Sequence, residues 1–191
     1  MPHNYPESGE CQIKLSPAQR EREFEREGTM KSTSLLTGLG LMVALAAPAS
    51  AQLLSHKDLS LATALTIATT AAETCKAQGY RVSVTILGRE GQVIVQLRGD
   101  EAPPHTIENS QKKAYTSRTF RIPSGEFVQR VKDNPTTGAV HLTGIVAAQG
   151  ALPIKVGDEV IGAAGVSGAP GGEKDEACVK AGLDKVADQL K

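Results

Sequence analysis

The sequence has little aromatic content: 3% of its 191 residues, and no tryptophan. Single-stranded nucleic acids are held by stacking bases on aromatic side chains, and this chain has few to offer. Charge of one sign is also missing, because 21 Lys+Arg balance 21 Asp+Glu. No broad field draws in a polyanion, so a general nucleic-acid binder is excluded. Three cysteines are too few for a miniprotein built on disulfides. No Cys-x-x-Cys, Cys-x-x-Cys-His or His-Glu-x-x-His occurs. That removes thioredoxin-like, covalent c-type haem and zinc-hydrolase sites. Ser167 lies outside any Gly-x-Ser-x-Gly elbow and reads as a serine at a strand end. The glycine-rich run at 168–172 has no Gly-Lys-Ser/Thr, so it is no P-loop and reads as a strand-to-helix connection.

One apolar run stands out. After Met30 and Lys31, residues 35–47 carry no charge, and Ala49-Ser50-Ala51 follows. A positive start, an apolar core and small residues at minus three and minus one predict a secretory signal over 30–51, cleaved after Ala51. The run is too short to anchor in a bilayer and is interrupted by Gly38 and Gly40. No membrane anchor is therefore expected after cleavage. Translation is expected to start at Met30, leaving residues 1–29 as a polar, disordered upstream extension. Residues 52–191 then form one domain, periplasmic or secreted, with no methionine and with Cys75 and Cys178 as its cysteines.

Periodicity gives the elements of that domain. Ser60 is an N-cap type, and Leu61, Ala64, Leu65, Ala68, Ala71, Ala72 and Cys75 form one helical stripe that Gly79 stops. Val82, Val84 and Ile86 alternate with polar residues, 88–91 turns, and Val93, Val95 and Leu97 resume, which predicts a β-hairpin. A polar helix is expected from about Thr106 to Thr119, and a short one after Pro123 carrying Phe127 and Val131. Strands are expected at 144–148, 152–156 and 159–166, and a final helix at about 174–190. The order α-β-β-α-α-β-β-β-α, with strands grouped in hairpins, predicts an α+β fold. Its antiparallel sheet would have about five strands, with the N- and C-terminal helices packed on it.

No nucleophile motif appears, so catalytic residues are not assigned. Metal ligands are scarce: after processing, the histidines are His56, His105 and His141. The candidates for an axial ligand to a non-covalent haem are these three with Tyr80 and Tyr115, since no methionine remains. The densest polar cluster runs from His105 to Arg121. Three- and four-residue steps place Asn109, Lys113 and Thr116 or Phe120 on one helical face.

Several of these segments resemble the GlcG/HbpS-like haem-binding family. They are Asn109-Ser110-Gln111-Lys112-Lys113-Ala114-Tyr115-Thr116, Ala151-Leu152-Pro153-Ile154, and the stretch from Val160 through Gly168-Ala169-Pro170-Gly171-Gly172 to Cys178. Arg98-Gly99-Asp100 and Ala181-Gly182-Leu183 fit the same pattern. The resemblance runs in order over most of 59–190. It departs at Gln149-Gly150-Ala151, where the family often has three glycines. It implies a sheet flanked by helices, a homo-oligomer and haem as ligand. His105, which opens the polar helix, becomes the expected axial metal ligand, with Lys113, Thr116, Arg118 and Arg121 completing the cofactor site. The alternative is a module that binds a small organic anion on the same cationic helix, and haem degradation is a third option. If the first and last helices cover one face of the sheet, as the resemblance implies, Cys75 and Cys178 are placed for a disulfide. Two buried free thiols are the other outcome.

Overall fold

A computed structural model describes residues 53–191. The expected upstream extension (1–29) and signal (30–51) lie outside the described residues. Helix α1, Leu61–Ala77, begins at Ser60, whose hydroxyl accepts from the Thr63 amide at 3.2 Å. It ends where Gly79 takes φ +79° and the Gln78, Gly79 and Tyr80 amides donate to the carbonyls of Cys75 and Lys76. Strands β1 (Ser83–Leu87) and β2 (Val93–Arg98) form the expected hairpin. Helices α2 (Thr106–Phe120) and α3 (Ser124–Asp133) follow, then a 3₁₀ turn at Gly138–His141. Strands β3 (Ala151–Val156) and β4 (Glu159–Ser167) make a second hairpin. Helix α4, Gly172–Lys185, and a 3₁₀ turn at Ala187–Gln189 close the chain.

The sheet is antiparallel, of order β2-β1-β4-β3, and one ladder between β1 and β4 joins the two hairpins. It has four strands where about five were expected. The apolar run at 144–148 is not a strand. The Thr116 hydroxyl on α2 accepts from the Val146 amide at 3.0 Å and donates to the Val146 carbonyl at 3.1 Å. With both Val146 backbone groups bound to α2, the segment pairs with no strand at its centre, and Ile145 is buried without a ladder.

Both faces of the sheet are covered, and they differ in chemistry. On one, α1 and α4 bury Ile67, Ala71, Val179 and Val186 against Val84, Ile86, Val166 and Ile154. The Cys75–Cys178 disulfide ties these two helices, with a Cα–Cα distance of 5.6 Å. On the other, α2 docks through hydroxyls. Ser83 pairs with Thr106 at 2.7 Å and Thr85 with Ser110 at 2.8 Å, all four buried. The polar half of the β1 alternation thus faces a second layer rather than water. Gly165 permits the close approach, because a Cβ there would lie 2.8 Å from the Ala114 amide nitrogen.

Among the described residues, no helix is long and apolar enough to cross a membrane.

Candidate functional site

Strand β4 ends at Ser167, and Gly168 turns the chain at φ +132°, a region open to glycine. The 168–172 loop then leads to Gly171, the extended N-cap of α4. Across from it stands His105, which begins α2. The N-terminal ends of α2 and α4 therefore open onto one pocket of about 400 Å³, lined by His105, Asn109, Gln149, Ser167 and the loop. Two helix N-termini give it a positive bias. His105 is exposed and caps no backbone amide, so its imidazole is available to the pocket. Asn109 Nδ2 donates to Ser167 Oγ at 2.9 Å and fixes one wall. Pro103, Ala148, Ala169 and Pro170 supply apolar surface.

Beneath this pocket lies a buried ion pair. Lys113 Nζ donates to Asp175 Oδ2 at 2.7 Å and to the Val166 carbonyl at 3.2 Å. Asp175 Oδ1 accepts from the Ala169 amide at 3.0 Å, so the pair joins α2, β4 and the loop to α4. The side chains are 5% and 3% exposed. Burial raises the Asp175 pKa above the ordinary carboxylate value, against the opposing pull of Lys113 and the Ala169 amide. Gly150 has no side chain to spare here, since a Cβ would lie 2.8 Å from both Lys113 Nζ and Asp175 Cβ. Lys113, expected as a cation facing the ligand, does line the pocket, with its ammonium paired to Asp175 in the floor.

The other expected residues do not gather around His105. Thr116 is buried and bonded to Val146, so it holds the 144–148 segment rather than a ligand. Arg118 lies thirteen residues along α2 from His105, about 20 Å at the helical rise. Arg121 is beyond it, as the left-handed C-cap of the helix at φ 59°. One site cannot use both ends. Burial, then repulsion from Arg121 and Arg89, lower the Arg118 pKa, and its buried Nε has no hydrogen-bond partner among the described residues. Tyr115 packs against Gly91 and Gly144, away from the pocket, and His56 and His141 are exposed elsewhere.

Of the neighbours that do lie close, sequence reasoning named Tyr80 and missed Arg81, Glu101 and Lys174. A second depression shares Pro103, Gly168 and Pro170 with the His105 pocket and adds Tyr80, Arg81 and Glu101. Lys174, on the first turn of α4, sits 5.6 Å from the Tyr80 ring centre. The available signal was the glycine at 168, which brings the end of β4 against the start of β1.

Among the described residues no group of three His, Cys, Asp or Glu can hold a bare metal ion. A metal that arrives inside a macrocycle needs only one protein ligand, an apolar wall and cations for its carboxylates. The structure offers an exposed imidazole at His105 and a wall of Pro103, Ala148, Ala169 and Pro170 in one pocket, with Arg81 in the adjoining depression.

No curated protein matches the chain. Among solved structures, HbpS is 32% identical, with a TM-score of 0.67 over 70% of this chain and 93% of that one. A double mutant of Streptomyces reticuli HbpS is 27% identical, with a TM-score of 0.67 over 81% of this chain and 97% of that one. The PduOC–haem complex is 24% identical, with a TM-score of 0.62 over 66% and 94%, a likeness of fold. The model of a family described as "Haem degrading protein HbpS-like" matches residues 59–184, and the chain belongs to that HbpS-like family.

Proposed function

We propose that this protein binds haem non-covalently in the pocket at His105 and works outside the cytoplasm, in haem uptake or sensing. The observation that carries the reading is an exposed imidazole with no capping duty, facing a pocket between two helix N-termini. Family membership and the haem-bound PduOC relative support it. Haem would supply an iron that accepts a nitrogen ligand. His105 would donate a ring nitrogen to it, Pro103 and Pro170 would flank the ring, and cations at the neighbouring depression would meet the propionates. The apolar 35–47 run and the Cys75–Cys178 disulfide support export. Exposed Leu61, Leu65 and Val93 offer apolar surface to a second copy in the expected homo-oligomer.

The converging helix N-termini also favour a small organic anion as the ligand. Haemin titration separates the two readings. A saturable, shifted Soret band is expected, altered by His105→Ala and unchanged by His56→Ala or His141→Ala. A spectrum that never saturates favours the anion, and three unaltered variants exclude a histidine as ligand.

A further inference from the structure

The depression next to the His105 pocket carries an ion pair that the haem reading does not explain. Arg81 NH2 lies 2.9 Å from Glu101 Oε2, with side chains 65% and 69% exposed. An ion pair this open to water contributes little to folding. Yet Glu101 is held in it at a conformational cost. Its φ is 57°, a left-handed conformation uncommon for a residue with a side chain. A turn fixes that conformation, with the Ala102 amide donating to the Gly99 carbonyl at 3.1 Å. Arg98 then clamps the Ala102 carbonyl with Nε at 3.1 Å and NH2 at 2.6 Å. Strain that is held this firmly belongs more often to sites than to scaffolding.

Arg81 is fixed from below. A Cβ at Gly168 would lie 2.9 Å from Val82 Cα and would collide with the Arg81 carbonyl. The bare glycine therefore seats the end of β4 directly under the Arg81 backbone. Arg81 lines the second depression beside Glu101, the anion paired with its guanidinium.

We propose that Arg81 is the residue that selects carboxylate-bearing ligands, and that Glu101 is its built-in competitor, displaced when a ligand carboxylate arrives. The proposal rests on the haem reading and assigns a haem propionate to Arg81. A weak pair on the surface is easily exchanged for a ligand carboxylate, which a planar guanidinium can take in bidentate fashion. At rest, Glu101 neutralises Arg81 and keeps unrelated anions from it. Arg118 and Arg121, at the far end of α2, have no part in this contact.

The test titrates haemin and haemin dimethyl ester, whose carboxylates are masked, into the wild type, Arg81→Gln and Glu101→Gln. Thermal unfolding checks that each variant is folded. The wild type is expected to prefer haemin to the ester by about tenfold, the scale of one partly exposed charge-assisted contact. Arg81→Gln should lose that preference and keep the ester's affinity. Glu101→Gln should bind haemin severalfold more tightly and leave the ester unchanged. Discrimination that is absent from the wild type, or equal in Arg81→Gln, overturns the selector while the haem reading stands. Unchanged haemin affinity in Glu101→Gln overturns the competitor. If neither porphyrin binds the wild type, the haem reading fails and this assignment fails with it.

Discussion

Replacing Lys113 with methionine isolates the buried ion pair under the pocket. Methionine keeps most of the stem's volume, so the change removes the charge and its two hydrogen bonds, to Asp175 and to the Val166 carbonyl. Asp175 keeps one partner, the Ala169 amide. Breaking a buried pair from one side costs about 3–5 kcal/mol, because the remaining charge is left without compensation. The retained amide places Lys113→Met near the lower end, at about 3 kcal/mol at pH 7.5. The cost should also depend on pH. Desolvation already raises the Asp175 pKa, and Lys113 supplies the largest opposing effects. Without Lys113 the folded pKa rises further, while the unfolded value stays that of an ordinary carboxylate. Between the two values the folded chain holds the extra proton, so stability falls as pH rises through that window and is recovered below it. Each pH unit within the window changes stability by about 1.4 kcal/mol. Urea unfolding at pH 7.5 and 5, followed by far-UV circular dichroism because the chain has no tryptophan, measures both effects. A loss below about 1 kcal/mol at pH 7.5, or an equal loss at both pH values, refutes the reasoning.

Two further outcomes test the scaffold. Thiol counting on denatured, unreduced protein should find Cys75 and Cys178 unreactive. Replacing both with serine should cost up to about 4.7 kcal/mol in urea unfolding, the chain-entropy value for a closed loop of this order, whose ends are separated by 103 residues. Gly165→Ala should destabilise by about 1–3 kcal/mol, as expected of overpacking, since the added carbon meets α2 backbone that cannot rotate away. Wild-type stability in that variant would show that α2 docks less tightly than described.

Much of the fold was legible in the sequence because its local signals agree with its packing. The Ser60 cap, the Gly79 stop and the β1–β2 alternation each produced the element they predict. The final helix starts two residues before the expected Lys174 and ends at Lys185, its tail turning to 3₁₀ at Ala187–Gln189. The fifth strand failed because periodicity reports burial and not the partner of the backbone. The 144–148 segment is apolar enough for a strand, but a threonine on α2 took the hydrogen bonds of its central residue, Val146. The site was harder to read. Charge density along α2 suggested one cationic surface, whereas a helix of fifteen residues keeps its two ends apart. Lys113 was visible as a cation, but its neutralisation needed Asp175, 62 residues away in sequence. Arg81 and Glu101 were overlooked for the same reason, as their meeting depends on two turns and a glycine at the end of β4.

The disulfide also decides what a broken chain looks like. Cys75 and Cys178 close a covalent ring that contains the whole sheet and every residue lining the pocket, from Pro103 to Asp175. A single cut inside the ring, for instance in the exposed 134–136 stretch after α3, leaves no piece free to diffuse away. Both fragments stay tethered through a bond between two fully buried cysteines in the apolar layer. The ring therefore turns a nick from a loss of the pocket into a local flaw.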